Sequence, residues 1–190
     1  GYESNKHKHY RKALLNVIPF NDYSGIYDGS KSLIYLEGQK DAFTVSKHKA
    51  YVYNDNTIFF YMGLRDANYI DRKYYKLFVE FTDEYFEGKY KLKIWTDNGG
   101  ADGNNFALVK EVDLVGEARE KQPLYTITEE MDATKPYLKH VYYTLYIDYT
   151  FEDYTLSPGN RLKYTVNGTL SMQRDLNTLI PDMDQQIQWD

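Results

Sequence analysis

The 190-residue chain contains no cysteine, which excludes disulfide staples, thiolate metal sites and a cysteine nucleophile. It has no apolar run near the roughly 18 residues that a membrane-spanning helix requires. Positive charge is also short, with 23 Lys and Arg against 28 Asp and Glu and a formal net charge of -5. That balance argues against a general nucleic-acid binder, because phosphate contacts need clustered Lys and Arg. Histidine occurs four times, at 7, 9, 48 and 140. His7 and His9 lie in a polar, basic stretch that reads as a solvated arm rather than a chelate, and His48, in S-K-H-K, reads as part of a solvent-facing turn. Catalytic signatures are missing too: there is no G-x-S-x-G elbow, Walker loop, G-x-G-x-x-G after a strand, or H-E-x-x-H. Two of the acidic residues could form a glycosidase-like pair, but no spacing marks which two. The expectation is a protein that is not an enzyme, with no catalytic residue, metal or cofactor assigned.

What the chain has in excess is aromatic side chains, with 21 Tyr, 9 Phe and 2 Trp. Tyrosine favours strands and half-buried surfaces, having an apolar ring and a polar tip. At this length one domain is the prior expectation. The chain opens at Gly1 with neither an initiator Met nor an apolar leader, as expected of a processed or a trimmed chain. Residues 1–20 read as a tether with a short helix over Ala13–Ile18, ended by Pro19. Residues 21–190 read as a single β domain.

Strand patterns dominate that domain. Short β-like runs occupy Ser32–Leu36, Ala42–Ser46, Lys49–Tyr53 and Thr57–Met62, and longer ones Tyr74–Thr82, Lys89–Thr96 and Phe106–Leu114. The segment Val115–Lys139 is charge-rich and holds one short strand at Leu124–Thr128. The strongest signal is V-Y-Y-T-L-Y-I-D-Y-T-F-E over 141–152, where Val141, Tyr143, Leu145, Ile147, Tyr149 and Phe151 alternate with more polar residues. Turn residues Ser157-Pro158-Gly159-Asn160 lead into a return strand, Leu162–Met172, which predicts an antiparallel hairpin. About nine strands and no interior helix give an all-β fold, an antiparallel sandwich or jelly roll, with a closed calycin-like barrel as the alternative.

The stretch W-T-D-N-G-G-A-D-G-N-N-F over 95–106 packs two Asp, three Asn and three Gly into nine residues. An EF-hand alignment on Gly103 puts Gly100 at a ligand position and Val109 where the distal Glu belongs, so that motif fails. A looser calcium site and a plain hairpin turn both stay open. Alternation places Trp95 on the face of Lys91 and Lys93, opposite Leu92 and Ile94; if those two face the core, Trp95 points outward beside the loop, and the alternative is that a second sheet or the middle segment covers it. An exposed ring next to short amide and carboxylate groups is what sugar recognition uses. The candidate ligand-binding residues are Trp95, Asp97, Asn98, Asp102 and Asn104. Tyr142 and Tyr146 join them, about 13 Å apart on the polar face of the 141–152 strand, although tyrosines so placed more often lie under a loop or pack against a neighbouring domain.

N-D-Y-S-G-I-Y-D-G (21–29), A-Y-V-Y-N-D-N-T-I-F-F-Y-M-G (50–63), D-R-K-Y-Y-K-L (71–77), Y-T-V-N-G-T-L-S-M-Q-R (164–174) and I-P-D-M-D-Q-Q-I-Q-W (180–189) together resemble a group of uncharacterised β-rich surface lipoproteins. These belong to polysaccharide-utilisation systems of Gram-negative gut anaerobes, and the likeness is to the C-terminal domains of their accessory glycan-binding proteins. The matching motifs are turns and strand ends, so no binding residue is carried over. The resemblance implies export, anchoring by a lipid at the outer membrane, and a companion domain on the N-terminal side. It also implies polysaccharide or oligosaccharide ligands, with other outer-membrane uptake proteins as partners. Two rival expectations stand beside it: an interaction domain docking on a partner surface protein, and a calycin-like binder of a small apolar ligand.

Overall fold

A computed structural model describes residues 20–61, 75–98, 103–112, 118–153 and 159–180. The expected tether and helix before residue 20 lie outside the described residues, as do Ser157 and Pro158 of the predicted turn. Among the described residues thirteen strands run in chain order: β1 Gly25–Asp28, β2 Leu33–Leu36, β3 Ala42–Phe43, β4 Lys47–Asn54, β5 Thr57–Tyr61, β6 Lys76–Phe86, β7 Lys89–Thr96, β8 Ala107–Leu108, β9 Lys110–Val112, β10 Ala118–Glu120, β11 Leu124–Met131, β12 Leu138–Asp153 and β13 Leu162–Asn177. Among the described residues there is no helix, and the fold is all-β.

Of the two architectures open to the sequence, the structure is the closed barrel rather than the sandwich. Strands β13, β1, β4, β5, β6, β7, β11 and β12 pair in that order, and β12 then pairs with β13 to close the ring. Closure rests on the β12–β13 hairpin, paired from Leu138↔Asn177 to Asp153↔Leu162 without a register shift. Eight strands enclose a space that side chains can fill. Tyr27, Ile58, Phe60, Leu77, Val79, Leu145, Ile147 and Leu170 are buried in the core. Each belongs to the inward set of its strand's two-residue period.

The hairpin outruns the ring. On the N-terminal side of Gly168, β13 pairs with β2 rather than β1: β2 lies against Tyr164–Asn167 and carries β3 on its far side. On the other flank β8 pairs with Tyr149 and Thr150 of β12. Tyr149, Phe151, Tyr164 and Val166 continue the core under this extension. The long strand expected over Phe106–Leu114 is instead two short pieces, β8 on β12 and β9 paired with β10.

One inward residue corrects the sequence expectation. His48 is buried in β4, not solvent-facing. It shares the parity of Ala50, and its Nε2 lies 2.6 Å from the carbonyl oxygen of Val45. Desolvation lowers its pKa, so it sits as a neutral ring whose Nε2–H donates to that carbonyl. The close pass of Gly29 leaves room for the imidazole, since a Cβ there would collide with it.

Candidate functional site

Trp95 lies on the outer side of β7, as alternation requires, and is 37% exposed. The strand register places Phe78 of β6 opposite Trp95, Phe59 of β5 opposite Phe78, and Tyr51 of β4 opposite Phe59. Four rings therefore form one row across four adjacent strands, about 14 Å long at about 4.8 Å per strand step. Phe78 and Trp95 are stacked, with centroids 5.6 Å apart and planes 11° from parallel. Tyr51 and Phe59 are stacked at 5.1 Å and 15°. Tyr53 meets Phe78 edge-on at 5.0 Å, and Tyr61 meets Tyr51 edge-on at 5.8 Å. Cross-strand aromatic pairs of this kind contribute roughly 0.2–1 kcal/mol each, so the row holds itself in place on an outer face. What it offers outward is a flat apolar strip.

The strip is bordered by charge. Lys49 Nζ lies 5.1 Å from the centroid of Tyr51, and Lys76 Nζ lies 4.7 Å from that of Phe59. On the opposite long side Glu80 and Lys93 face each other at 3.9 Å.

The loop after Trp95 is knotted at its neck. Asn98 N–H donates to Thr96 Oγ1 at 3.1 Å, and Asn104 N–H donates to the Asn98 carbonyl at 2.9 Å. Asn98 and Gly103 both adopt positive φ, at 60° and 66°, which explains Asn and Gly at those places. Asn104 is fully enclosed, and its Oδ1 accepts the Phe106 N–H at 3.1 Å. Its side chain braces the loop and does not face solvent, which removes it from the surface set the sequence suggested. Asp97 and Asn98 are exposed beside Trp95, whereas Asp102 lies outside the described residues.

Tyr142 and Tyr146 are on the outer face of β12, with Tyr142 half-buried and Tyr146 36% exposed. Lys89 Nζ sits 5.6 Å from the Tyr146 centroid. Through Leu124 of β11, Tyr146 aligns with Lys91, four residues from Trp95 along β7. Two strand steps and four residues put them about 16 Å apart. The structure does not bring these tyrosines into the Trp95 row.

Two other clusters bear on chemistry. His140 Nδ1 is 2.7 Å from Asp175 Oδ1, and Nε2 is 3.1 Å from Asp132 Oδ2. Those hydrogen bonds, first to Asp175 and then to Asp132, raise its pKa. Both ring nitrogens are committed to carboxylates, so neither is open to take a substrate proton. The cluster clasps the β11–β12 turn to the end of β13. A second feature is a cleft of about 440 Å³ between Tyr35, Glu37, Asn105, Glu152 and Lys163. Its charges are paired within the protein: Glu152 accepts from Asn105 at 2.7 Å and from Arg161 at 3.2 Å, and Lys163 faces Glu37 at 3.7 Å. Among the described residues no group of three or more His, Asp or Glu is arranged to hold a metal ion.

A family model described as "-like, C-terminal" matches residues 11–171. A protein of unknown function from Bacteroides ovatus is 38% identical over 96% of this chain, with a TM-score of 0.74. A multidomain protein from the same organism is 34% identical over 90%, also at 0.74. An auxiliary nutrient binding protein from Bacteroides thetaiotaomicron is 35% identical over 99%, at 0.73. The chain spans 56%, 56% and 57% of those three structures, in that order. No curated protein matches.

Proposed function

The chain belongs to that C-terminal-domain family, and on this premise we propose that it is a non-catalytic module that binds carbohydrate for a polysaccharide uptake system. The observation that carries the proposal is the in-register row Tyr51–Phe59–Phe78–Trp95. A sugar ring has one face made largely of C–H groups, which stacks on an aromatic plane, while its hydroxyls seek short polar side chains at the edge. Asp97 and Asn98 stand at the Trp95 end of the row to meet them. The name of the Bacteroides thetaiotaomicron relative, an auxiliary nutrient binding protein, supports the same direction. The proposal includes location: an exported, lipid-anchored protein at the outer membrane, working beside other uptake proteins.

Affinity electrophoresis through gels cast with plant and host polysaccharides tests the proposal. We expect retardation by at least one polysaccharide, abolished by Trp95→Ala and weakened by Phe78→Ala, with circular dichroism unchanged. Retardation that both variants leave intact would move the site elsewhere.

A second reading has an observation of its own. Because this chain spans just over half of its relatives, the aromatic strip could dock a companion domain or surface protein instead. That version predicts co-purification lost in Trp95→Ala and no saccharide affinity. The apolar-ligand alternative has less support, since large side chains fill the barrel interior.

A further inference from the structure

We infer that the carbohydrate taken by the aromatic row is acidic, carrying a carboxylate or sulfate on a unit farther along the ligand than the stacked one. The inference rests on the binding reading above and adds the chemistry of the ligand. Its basis is the asymmetry of the row. Among the described residues no cation lies over Trp95 or Phe78, so that end is open for stacking. The other end is covered by Lys49 over Tyr51 and Lys76 over Phe59.

Both lysines come from one side. Lys49 precedes Tyr51 by two residues on β4, and Lys76 precedes Phe78 by two on β6, opposite Tyr61 of β5. Lys49, Tyr61 and Lys76 thus form a second row, about 7 Å from the first, with the exposed Asp97 next in line beyond Lys76 at the Trp95 end, so the row is cationic at the Tyr51 and Phe59 end. Among the described residues neither lysine has a carboxylate at ion-pair distance, although Lys91, Lys93, Lys121, Lys139 and Lys163 do. An ammonium over a half-buried ring at the surface is weakly held, and an anion is the stronger partner because charge-assisted hydrogen bonds exceed cation–π contacts at such sites. The ring contacts keep the two cations pointed across the strip until the anion replaces them. Chain-wide charge adds a reason for a local cationic edge. A protein of net charge -5 repels an anionic polymer unless positive groups stand where it lands. From the open Trp95 end to the lysine-covered end is about 10–14 Å, which sets the anionic unit beyond the stacked one along the ligand.

The test is isothermal titration of the whole chain with three oligosaccharides of equal length: an oligogalacturonide, a sulfated galactan fragment and an uncharged galactan fragment. Each is measured at low and high salt, with wild type, Trp95→Ala and Lys49→Met/Lys76→Met. We expect one acidic probe to bind about tenfold more tightly than the neutral one, and its identity separates carboxylate from sulfate. That advantage should shrink severalfold as salt screens the exposed lysines. It should vanish in the double-lysine variant while neutral binding stays within about twofold, because Met keeps the apolar stem. Neutral binding lost in Trp95→Ala, with no preference for acid in wild type, would overturn the inference and leave the platform standing. A preference that survives the lysine variant would overturn it too. No binding of any probe would instead sink the binding reading on which it rests.

Discussion

Substituting Gly168 by Ala should loosen the seam that closes the barrel. Gly168 faces Ile147 across the β12–β13 pair, at the point where β13 changes partner from β2 to β1. A Cβ built there would stand 2.5 Å from the Ile147 carbonyl oxygen and 2.9 Å from its Cγ1. The first contact is with backbone already held in a ladder, so relief means parting the strands by several tenths of an ångström. Overpacking of this kind costs typically about 1–3 kcal/mol. Against it, Ala narrows the unfolded ensemble and returns about 0.4–1 kcal/mol. A net loss of about 1–2 kcal/mol follows. For a chain of this size that lowers the melting temperature by roughly 2–8 °C. Urea unfolding followed by tryptophan fluorescence should show a lower midpoint with an unchanged slope. Asn167→Ala, exposed one residue earlier on the same seam, is the control and should stay within about 0.5 kcal/mol. A Gly168→Ala protein as stable as wild type would mean that the two strands do not approach so closely at this point, and the argument for a tightly closed seam would fail.

The His140 clasp gives a pH signature. Its pKa is raised in the folded state, so the stabilisation is complete below its unfolded value near 6.5 and is lost as pH rises through the higher folded value. The melting-temperature gap between wild type and His140→Gln should therefore narrow from pH 5.5 to pH 9, and a constant gap would count against the clasp. Asn21 donates through Nδ2 to the carbonyls of Asn54 and Thr57 at 2.7 and 3.1 Å, fastening the β4–β5 turn that carries two rings of the row. Asn21→Ala should cost about 1–3 kcal/mol by chemical denaturation, since it strands buried polar groups. Burial pushes the Tyr143 phenol up to about 12 and raises Tyr27 and Tyr125 as well. Alkaline titration at 295 nm should show these tyrosines ionising only as the barrel unfolds, and early, reversible titration of all 21 would refute their burial.

The sequence was readable wherever one strand face is polar. The alternation over 141–152 located β12, and the same logic on K-L-K-I-W sent Trp95 outward while Leu92 and Ile94 went inward or half-inward. It could not separate barrel from sandwich. Closure depends on β12 pairing on both its edges, with β11 and with β13, which is a matter of register rather than of pattern. His48 misled for a local reason: two flanking lysines gave a polar trio, although its parity with Ala50 pointed inward. The short strand β1 was missed because G-I-Y-D offers just four residues, two of them turn formers.

The candidate site hid in the opposite way. In A-Y-V-Y and T-I-F-F-Y both faces are apolar, so a period-two reading cannot tell which rings are core. Ile58 and Phe60 turned out to be the inward pair and Phe59 and Tyr61 the outward one. A strand buried on both faces would look the same in sequence, but β4–β7 are barrel strands with one outer face, and that face holds the row. The physical meaning lies in that difference. A barrel wall needs apolar residues on its inner side, and ring pairs on the outside add only about 0.2–1 kcal/mol each, so stability is a small part of the reason for a second apolar set there. A single exposed aromatic such as Trp95 needs no explanation, whereas its alignment with three half-buried outer rings does. Of the sequence candidates, Trp95 gains its meaning from neighbours that the sequence left unassigned. Asn104, chosen for its chemistry, serves the loop that sets Asp97 and Asn98 beside that ring.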